Sequence, residues 1–179
     1  MAVDMQPVQS VAIIGAGNMG SGIAQKTAQE EFDVQMVDRE AQWVERGQSI
    51  IADFLSEAVE RRIFSPQQVE DIQGRITGVI GTENTAPDTD LVIEAVFEDF
   101  DIKTAVFNTL NEVCGDKTIL ASNTSSLSVN DLSAASGRPD RFVGLHFFYH
   151  PAKNRLVEVI PGQDTSAETI ARTVQYCRG

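Results

Sequence analysis

Three glycines placed directly after a short apolar run constrain this chain more than any other feature of its sequence. The run Val11–Ile14 can be buried on both faces of a sheet. Gly15, Gly17 and Gly20 follow it with the spacing Gly-x-Gly-x-x-Gly. At such a junction the first glycine allows a tight turn, the second lets the backbone approach a pyrophosphate, and the third lets the next helix pack closely. Met19–Glu30 supplies that helix, whose first amide groups would face phosphate oxygens.

Asp38 is the acidic residue that a dinucleotide site needs at the end of its second strand. It closes the apolar run Asp33–Asp38, where its carboxylate would accept hydrogen bonds from the adenosine ribose and repel a 2′-phosphate. This favours NAD over NADP. Glycine turns without any ligand also join strands to helices, but the strand, the helix and the acid together favour a cofactor site. The predicted cofactor contacts also include Asn18, Met19 and Arg39.

Apolar periodicity beyond Asp38 predicts an alternation of strands and helices. Further strands are expected at Ile76–Gly81, Leu91–Val96, Thr118–Ala121, Phe142–Phe148 and Leu156–Ile160. Further helices are expected at Ala41–Arg62, 66–74, 102–113 and 129–135, and a last one behind a capping box of Thr165 and Glu168. Strands separated by helices imply right-handed parallel crossovers. We therefore expect an α/β fold with a Rossmann-like, doubly wound and mostly parallel sheet.

The last two strands are expected to form an antiparallel addition near the C-terminus. Only seven residues separate Phe148 from Leu156, too few for the roughly twelve or more that a parallel crossover needs. A hairpin symmetric about Ala152 would place His146 directly opposite Glu158.

His146 is the candidate catalytic base. It lies near the end of a predicted strand, and ligands of open α/β sheets gather at the carboxyl ends of strands. A facing Glu158 would hold the imidazole in one tautomer and stabilise its cation. An isolated buried histidine is more often structural, but the facing carboxylate and the cofactor motif favour catalysis here. His150, in the basic loop His150–Arg155, is the rival, with a solvated surface role as its default interpretation.

Two further groups of polar residues are candidates for the site. Ser122–Ser126 follows a predicted strand, and Asn123 and Ser125 would hydrogen-bond the substrate oxygen or the nicotinamide ribose. The same residues are also typical of a polar turn that caps a helix. Glu98 and Lys103 are compatible with a site near the cofactor or with a solvated helix start.

Composition limits the classes of partner. The 179 residues carry 14 basic and 26 acidic side chains, and the resulting net charge of −12 disfavours binding to the phosphates of nucleic acids. Residues 1–10 lack a signal-peptide pattern, and no apolar run is long enough to span a membrane. Cys114 and Cys177 lie far apart without metal-binding or redox spacing. We expect a single cytoplasmic domain over residues 1–179, with no metal.

Several motifs together resemble the L-3-hydroxyacyl-CoA dehydrogenases, including the related hydroxybutyryl-CoA dehydrogenases. In chain order they are V-A-I-I-G-A-G-N-M-G-S-G-I-A, E-A-V-F-E-D, A-S-N-T-S-S-L, G-L-H-F-F and L-V-E-V-I. The resemblance implies oxidation of (S)-3-hydroxyacyl-CoA to 3-oxoacyl-CoA by hydride transfer to NAD. The alternatives are an NAD dehydrogenase of a small hydroxy acid and a non-catalytic NAD-binding protein.

The resemblance also implies a role for individual residues. His146 would take the 3-hydroxyl proton with Glu158 as its partner, while Ser125 would donate to the substrate oxygen beside Asn123. The cofactor would contact Asp38 at the adenosine ribose and Glu98 and Lys103 near the nicotinamide, and coenzyme A would contact Arg61.

Two departures from the family pattern affect the substrate. The family usually continues H-F-F-N-P, whereas Tyr149 and His150 precede Pro151 here, and a bulky phenol beside the base would reshape the acyl pocket. The family also has a helical C-terminal domain that completes the substrate site and forms the homodimer. That domain is not recognised in residues 1–179, so we expect this chain to bind NAD and to turn over acyl-CoA poorly.

Overall fold

The part of the chain that the computed structural model describes, residues 6–178, contains seven strands and six α-helices. The strands are β1 (Ser10–Ile14), β2 (Asp33–Asp38), β3 (Ile76–Ile80), β4 (Leu91–Glu94), β5 (Ile119–Ser122), β6 (Phe142–Phe147) and β7 (Val157–Pro161). The helices are α1 (Asn18–Gln29), α2 (Ala41–Glu60), α3 (Pro66–Gly74), α4 (Phe100–Val113), α5 (Val129–Ala135) and α6 (Ala167–Arg178). None of these helices is long and apolar enough to cross a membrane. Residues 1–5, part of the segment expected to lack a signal peptide, lie outside the described residues.

The strands form one sheet in the order β3-β2-β1-β4-β5-β6-β7. Neighbouring strands from β3 to β6 are parallel, and β7 is antiparallel to β6. The chain winds outward in one direction from β1 and in the other from β4. This reversal opens a crevice at the carboxyl ends of β1 and β4, where open α/β sheets bind their ligands. The predicted fold class, including the antiparallel addition, is confirmed.

Helices cover both faces of the sheet. In β1, Val11 and Ile13 belong to a buried cluster that includes apolar side chains of α1, α2, α3 and α6. Ala12 and Ile14 belong to a second cluster, with Phe107 of α4 and side chains of α5. Because successive strand residues point to opposite faces, a fully apolar β1 can be buried on both sides. The loop that follows β1 therefore emerges from the rigid centre of the molecule.

The predicted start of the last helix is wrong. Ser166, and not Thr165, caps α6: its hydroxyl oxygen accepts a hydrogen bond from Thr169 N at 3.1 Å. Thr165 Oγ1 instead donates to the carbonyl oxygen of Phe142 at 2.7 Å and accepts from Gly162 N at 2.8 Å. Thr165 thus ties the end of β7 to β6. The other predicted element boundaries agree with the structure to within about two residues, the usual uncertainty of helix and strand ends.

Candidate active site

The glycine turn between β1 and α1 has the geometry that its sequence predicts. Gly15 has φ +106°, a conformation that favours glycine. A Cβ atom on Gly20 would lie 1.7 Å from the carbonyl oxygen of Gly15, so α1 packs directly on the turn. A Cβ atom on Gly17 would meet no protein atom within 4 Å. The turn is thus closed at Gly15 and Gly20 and open at Gly17, as a pyrophosphate requires.

These contacts predict different consequences for two alanine substitutions. Gly20→Ala should lower the free energy of unfolding by about 1–3 kcal/mol, because the new methyl group displaces the turn. Gly17→Ala should change it by less than about 1 kcal/mol and should still weaken NADH binding, because its methyl group enters the open side. Urea unfolding and NADH fluorescence titration of both variants test this. Equal destabilisation by the two substitutions would contradict the assignment of Gly20 as the packed position and Gly17 as the open one.

Asp38 lies against the same turn. Its Oδ2 accepts a hydrogen bond from Ala16 N at 2.8 Å, and its Oδ1 accepts one from Arg39 N at 2.7 Å. A carboxylate has further lone pairs for two ribose hydroxyls. Asp38 and Arg39 line a groove of about 590 Å³ together with the glycine turn and the residues after β4. We call this the nucleotide groove; its lining includes Gly15, Gly17, Asp38, Arg39, Ala95 and Val96.

A second cleft, of about 350 Å³, continues from the nucleotide groove. The two share Ala95 and Val96, which follow β4 at the reversal of strand order. This second cleft, which we call the catalytic cleft, is lined by Met19, Glu98, Asn123, Ser125, His146 and Tyr149 among others. Residues predicted from four separate stretches of sequence therefore meet in one place.

His146 and Glu158 form the predicted pair. They are directly opposite each other in the register of β6 and β7. His146 Nδ1 lies 2.9 Å from Glu158 Oε2. A carboxylate only accepts hydrogen bonds, so Nδ1 carries the proton and Nε2 of the neutral ring keeps its lone pair. The His146 side chain is 19% exposed, enough for its ring to face a ligand in the cleft. The pair therefore has the arrangement of a general base and its orienting acid.

Asn123 and Ser125 follow β5 and line the same catalytic cleft. Asn123 Oδ1 accepts a hydrogen bond from Phe147 N at 2.8 Å, which joins the ends of β5 and β6. Its amide group therefore has a fixed orientation and keeps two N–H donors. Ser125 is exposed at the surface of the cleft, and its hydroxyl can donate or accept. The segment forms a polar turn and lines the cleft, whereas the cap of α5 is Ser128, which lies beyond it.

Glu98 organises that segment. Its Oε1 accepts hydrogen bonds from Thr124 Oγ1, from Ser125 N at 3.1 Å and from Ser126 Oγ at 3.2 Å. Burial by itself would raise the pKa of Glu98, but the hydrogen bonds from Thr124 and Lys103 outweigh it and hold the pKa below its ordinary value. Glu98 is therefore ionised at neutral pH, and the loop that carries Ser125 is attached to it.

Lys103 lies behind Glu98 and away from solvent. Its side chain is 1% exposed, and its Nζ lies 2.6 Å from Glu94 Oε1 and 3.1 Å from Glu98 Oε2. Glu94 is completely buried at the end of β4 and also accepts hydrogen bonds from Ser122 Oγ and Val96 N. Burial raises the pKa of Glu94, while the Lys103 ammonium opposes that rise. The burial of Lys103 does not support a direct contact with the cofactor.

The structural roles of Glu94 and Ser122 were not predicted from the sequence. The available signal was a carboxylate closing a strand of buried apolar residues, with a lysine nine positions further on. A buried charge requires a partner of opposite charge. This requirement points to Lys103 as the partner of Glu94 and not as a solvated residue at a helix start.

Other predicted residues lie outside both clefts. Arg61 follows α2, is exposed and pairs with Glu57. His150 is half-buried, which corrects the default expectation of a solvated side chain: its ring stacks on Phe54 at 4.0 Å between centroids. Burial, and then Lys153, lower the pKa of His150. Asn18 and Gly20 belong to the first turn of α1 without lining either cleft.

Comparisons with known proteins agree with this geometry. Residues 10–179 match the family model of the 3-hydroxyacyl-CoA dehydrogenase NAD binding domain. The probable 3-hydroxybutyryl-CoA dehydrogenase of Deinococcus radiodurans is 41% identical over 88% of this chain and 56% of its own length. That of Bacillus subtilis is 39% identical over 90% of this chain and 56% of its own length. The chain thus spans about half the length of these curated relatives.

Solved structures lead to the same family. The (S)-3-hydroxybutyryl-CoA dehydrogenase of Ralstonia eutropha is similar with a TM-score of 0.92 and 35% identity, over 96% of this chain and 60% of that one. The 3-hydroxybutyryl-CoA dehydrogenase of Escherichia coli is similar with a TM-score of 0.89 and 37% identity, over 96% of this chain and 37% of that one. The glycine turn, the His–Glu pair and these matches agree, and the chain belongs to the 3-hydroxyacyl-CoA dehydrogenase family, of which it carries the NAD-binding domain.

Proposed function

We propose that this domain provides the cofactor site and the catalytic base for the oxidation of (S)-3-hydroxyacyl-CoA to 3-oxoacyl-CoA. The observation that carries the proposal is the hydrogen bond between His146 and Glu158 in a cleft that continues from the nucleotide groove. The relatives named above are 3-hydroxybutyryl-CoA dehydrogenases, which favours a short acyl chain as the substrate. The proposed reaction requires a CoA thioester as its substrate.

The side chains of the catalytic cleft have complementary roles in this reaction. The proton of the substrate hydroxyl moves to Nε2 of His146, and Glu158 stabilises the imidazolium that forms. The Ser125 hydroxyl donates to the substrate oxygen, and the fixed amide of Asn123 offers further donors on the same side. When bound, NAD supplies the acceptor for the hydride that leaves the carbon bearing this hydroxyl group. The cleft thus separates the proton and the hydride onto different partners.

We assign the cofactor contacts from the glycine turn, the nucleotide groove and the catalytic cleft. Gly15, Gly17 and Gly20 form the turn, and the amides of Asn18 and Met19 begin the helix that faces the pyrophosphate. Asp38 and Arg39 lie at the adenosine ribose. Glu98 lies at the nicotinamide end, with Lys103 acting through it.

The remaining assignments follow the family resemblance. Arg61 would contact coenzyme A. Residues 1–179 would form a single NAD-binding domain, and a helical domain of the full-length protein would complete the substrate site and form a homodimer. The two free thiols of Cys114 and Cys177 support a reducing compartment, the cytoplasm.

A substrate panel tests the proposal. The full-length protein should oxidise NADH with acetoacetyl-CoA and should be at least about tenfold slower, in kcat/KM, with free acetoacetate, because the thioester adds binding contacts. Equal rates with the free acid would favour an NAD dehydrogenase of small hydroxy acids. NADH binding without turnover of either compound would favour a non-catalytic NAD-binding protein.

A further inference from the structure

An arginine outside the glycine fingerprint lines the nucleotide groove. Arg46 belongs to α2, is exposed, and lines the groove beside Gly17 and Asp38. The next residue, Gly47, packs directly on the glycine turn: a Cβ atom there would lie 2.8 Å from the carbonyl oxygen of Ala16. No side chain fits between α2 and the turn at this point. Arg46 is therefore adjacent in sequence to a close contact between α2 and the glycine turn.

The surroundings of Arg46 leave its hydrogen-bond donors available. Arg39, the other cation of the groove, lies 3.4 Å from Glu40 in an exposed ion pair. Arg46 has no carboxylate partner of this kind among residues 6–178. Its guanidinium lies over the ring of Trp43, 5.9 Å from the centroid. Stacking on an aromatic face orients a guanidinium without using its N–H groups.

We propose that Arg46 is a cofactor-binding residue whose guanidinium pairs with the pyrophosphate of NAD, opposite the amides of the glycine turn. The chain has a net charge of −12, so its overall field opposes the approach of a negatively charged dinucleotide. A local guanidinium offsets that field, and its forked donors match phosphate oxygens. The inference rests on the proposed function only in taking NAD as the bound dinucleotide.

Binding measurements on this domain test the proposal directly. Arg46→Gln should raise the dissociation constant of NADH about tenfold, as expected for the loss of one charge-assisted contact. ADP-ribose, which keeps the pyrophosphate and lacks nicotinamide, should lose affinity by the same factor when it competes with NADH. The NADH affinity of Arg46→Lys should lie between those of the wild type and Arg46→Gln, because lysine keeps the charge without the forked donors. Fluorescence titration measures the NADH affinity of both variants and the competition by ADP-ribose.

Lys117→Gln is the matched control. Lys117 is exposed and precedes β5, at the end of the sheet opposite the groove, and its substitution changes the net charge by the same amount. Its effect on NADH affinity should stay within about twofold, because charges further apart than a Debye length are screened. Urea unfolding of both variants establishes that they are folded; if Arg46→Gln is less stable than the control, Arg46→Lys decides.

Each outcome has a distinct meaning. Unchanged NADH affinity in Arg46→Gln overturns the proposal. NADPH is titrated in the same way, and a loss of affinity confined to NADPH overturns the proposal as well, because it places Arg46 at a 2′-phosphate. A loss with NADH but not with ADP-ribose does the same, because it places Arg46 near the nicotinamide. A wild-type domain that binds neither compound contradicts the proposed function itself.

Discussion

Replacing His146 with glutamine is expected to lower kcat of the full-length protein for the proposed reaction about 10³-fold, because that reaction would lose its general base. Binding of NADH should stay within about twofold of wild type, because His146 lines the catalytic cleft and not the nucleotide groove. Steady-state reduction of acetoacetyl-CoA and fluorescence titration of NADH measure the two quantities. Unchanged turnover would remove His146 from its proposed role, whatever happens to cofactor binding.

Two further substitutions sharpen this result. His150→Gln is the matched control: it changes the second histidine, which lies outside the catalytic cleft, and an amide oxygen can still accept the hydrogen bond from Ala152 N. It should keep most of the activity. Glu158→Gln should fall between the two, because the imidazole remains while the acceptor that orients it changes. A His150→Gln loss as large as that of His146→Gln would favour the rival base.

Local patterns were sufficient to predict the glycine turn and the facing of His146 and Glu158. The turn depends on the positions of three glycines within one strand–helix junction. The facing pair depends on a hairpin too short for any other connection, in which a two-residue side-chain period fixes the register. Both are consequences of short-range geometry. The structure confirms both features.

Tertiary contacts decide what the sequence could not predict. Thr165 and Ser166 are adjacent hydroxyl residues, and either could cap α6; the hydrogen bond from Thr165 to the Phe142 carbonyl decides between them. Asn123 is likewise fixed by the main chain of Phe147, a partner 24 positions away. From the sequence, Lys103 is compatible with a contact to the cofactor or with a solvated helix start, and the packing of β4 and α4 places it against Glu94. Each case needs the position of a second element.

Replacing Lys103 with methionine is expected to lower the free energy of unfolding by about 3–5 kcal/mol at neutral pH, because it leaves the Glu94 carboxylate buried without a cation. Glu94 and Lys103 are 0% and 1% exposed, so bulk water contributes little to solvating the carboxylate. The double variant Glu94→Gln, Lys103→Met should recover much of the loss, because it removes the uncompensated charge. Urea unfolding measures all three proteins, with Lys117→Met as the exposed control.

The loss in Lys103→Met should also depend on pH, with a definite sign. Burial already raises the pKa of Glu94 in the folded protein, and the Lys103 ammonium opposes that rise. Without the ammonium, the folded pKa rises further above the unfolded one. A carboxyl group whose pKa is higher in the folded than in the unfolded protein stabilises the fold while it is protonated. That contribution is lost as pH increases through the folded pKa. The deficit should therefore shrink as pH falls from about 7 towards about 5, since protonated Glu94 is neutral, and a deficit that grows instead would show that Glu94 is not the buried partner of Lys103.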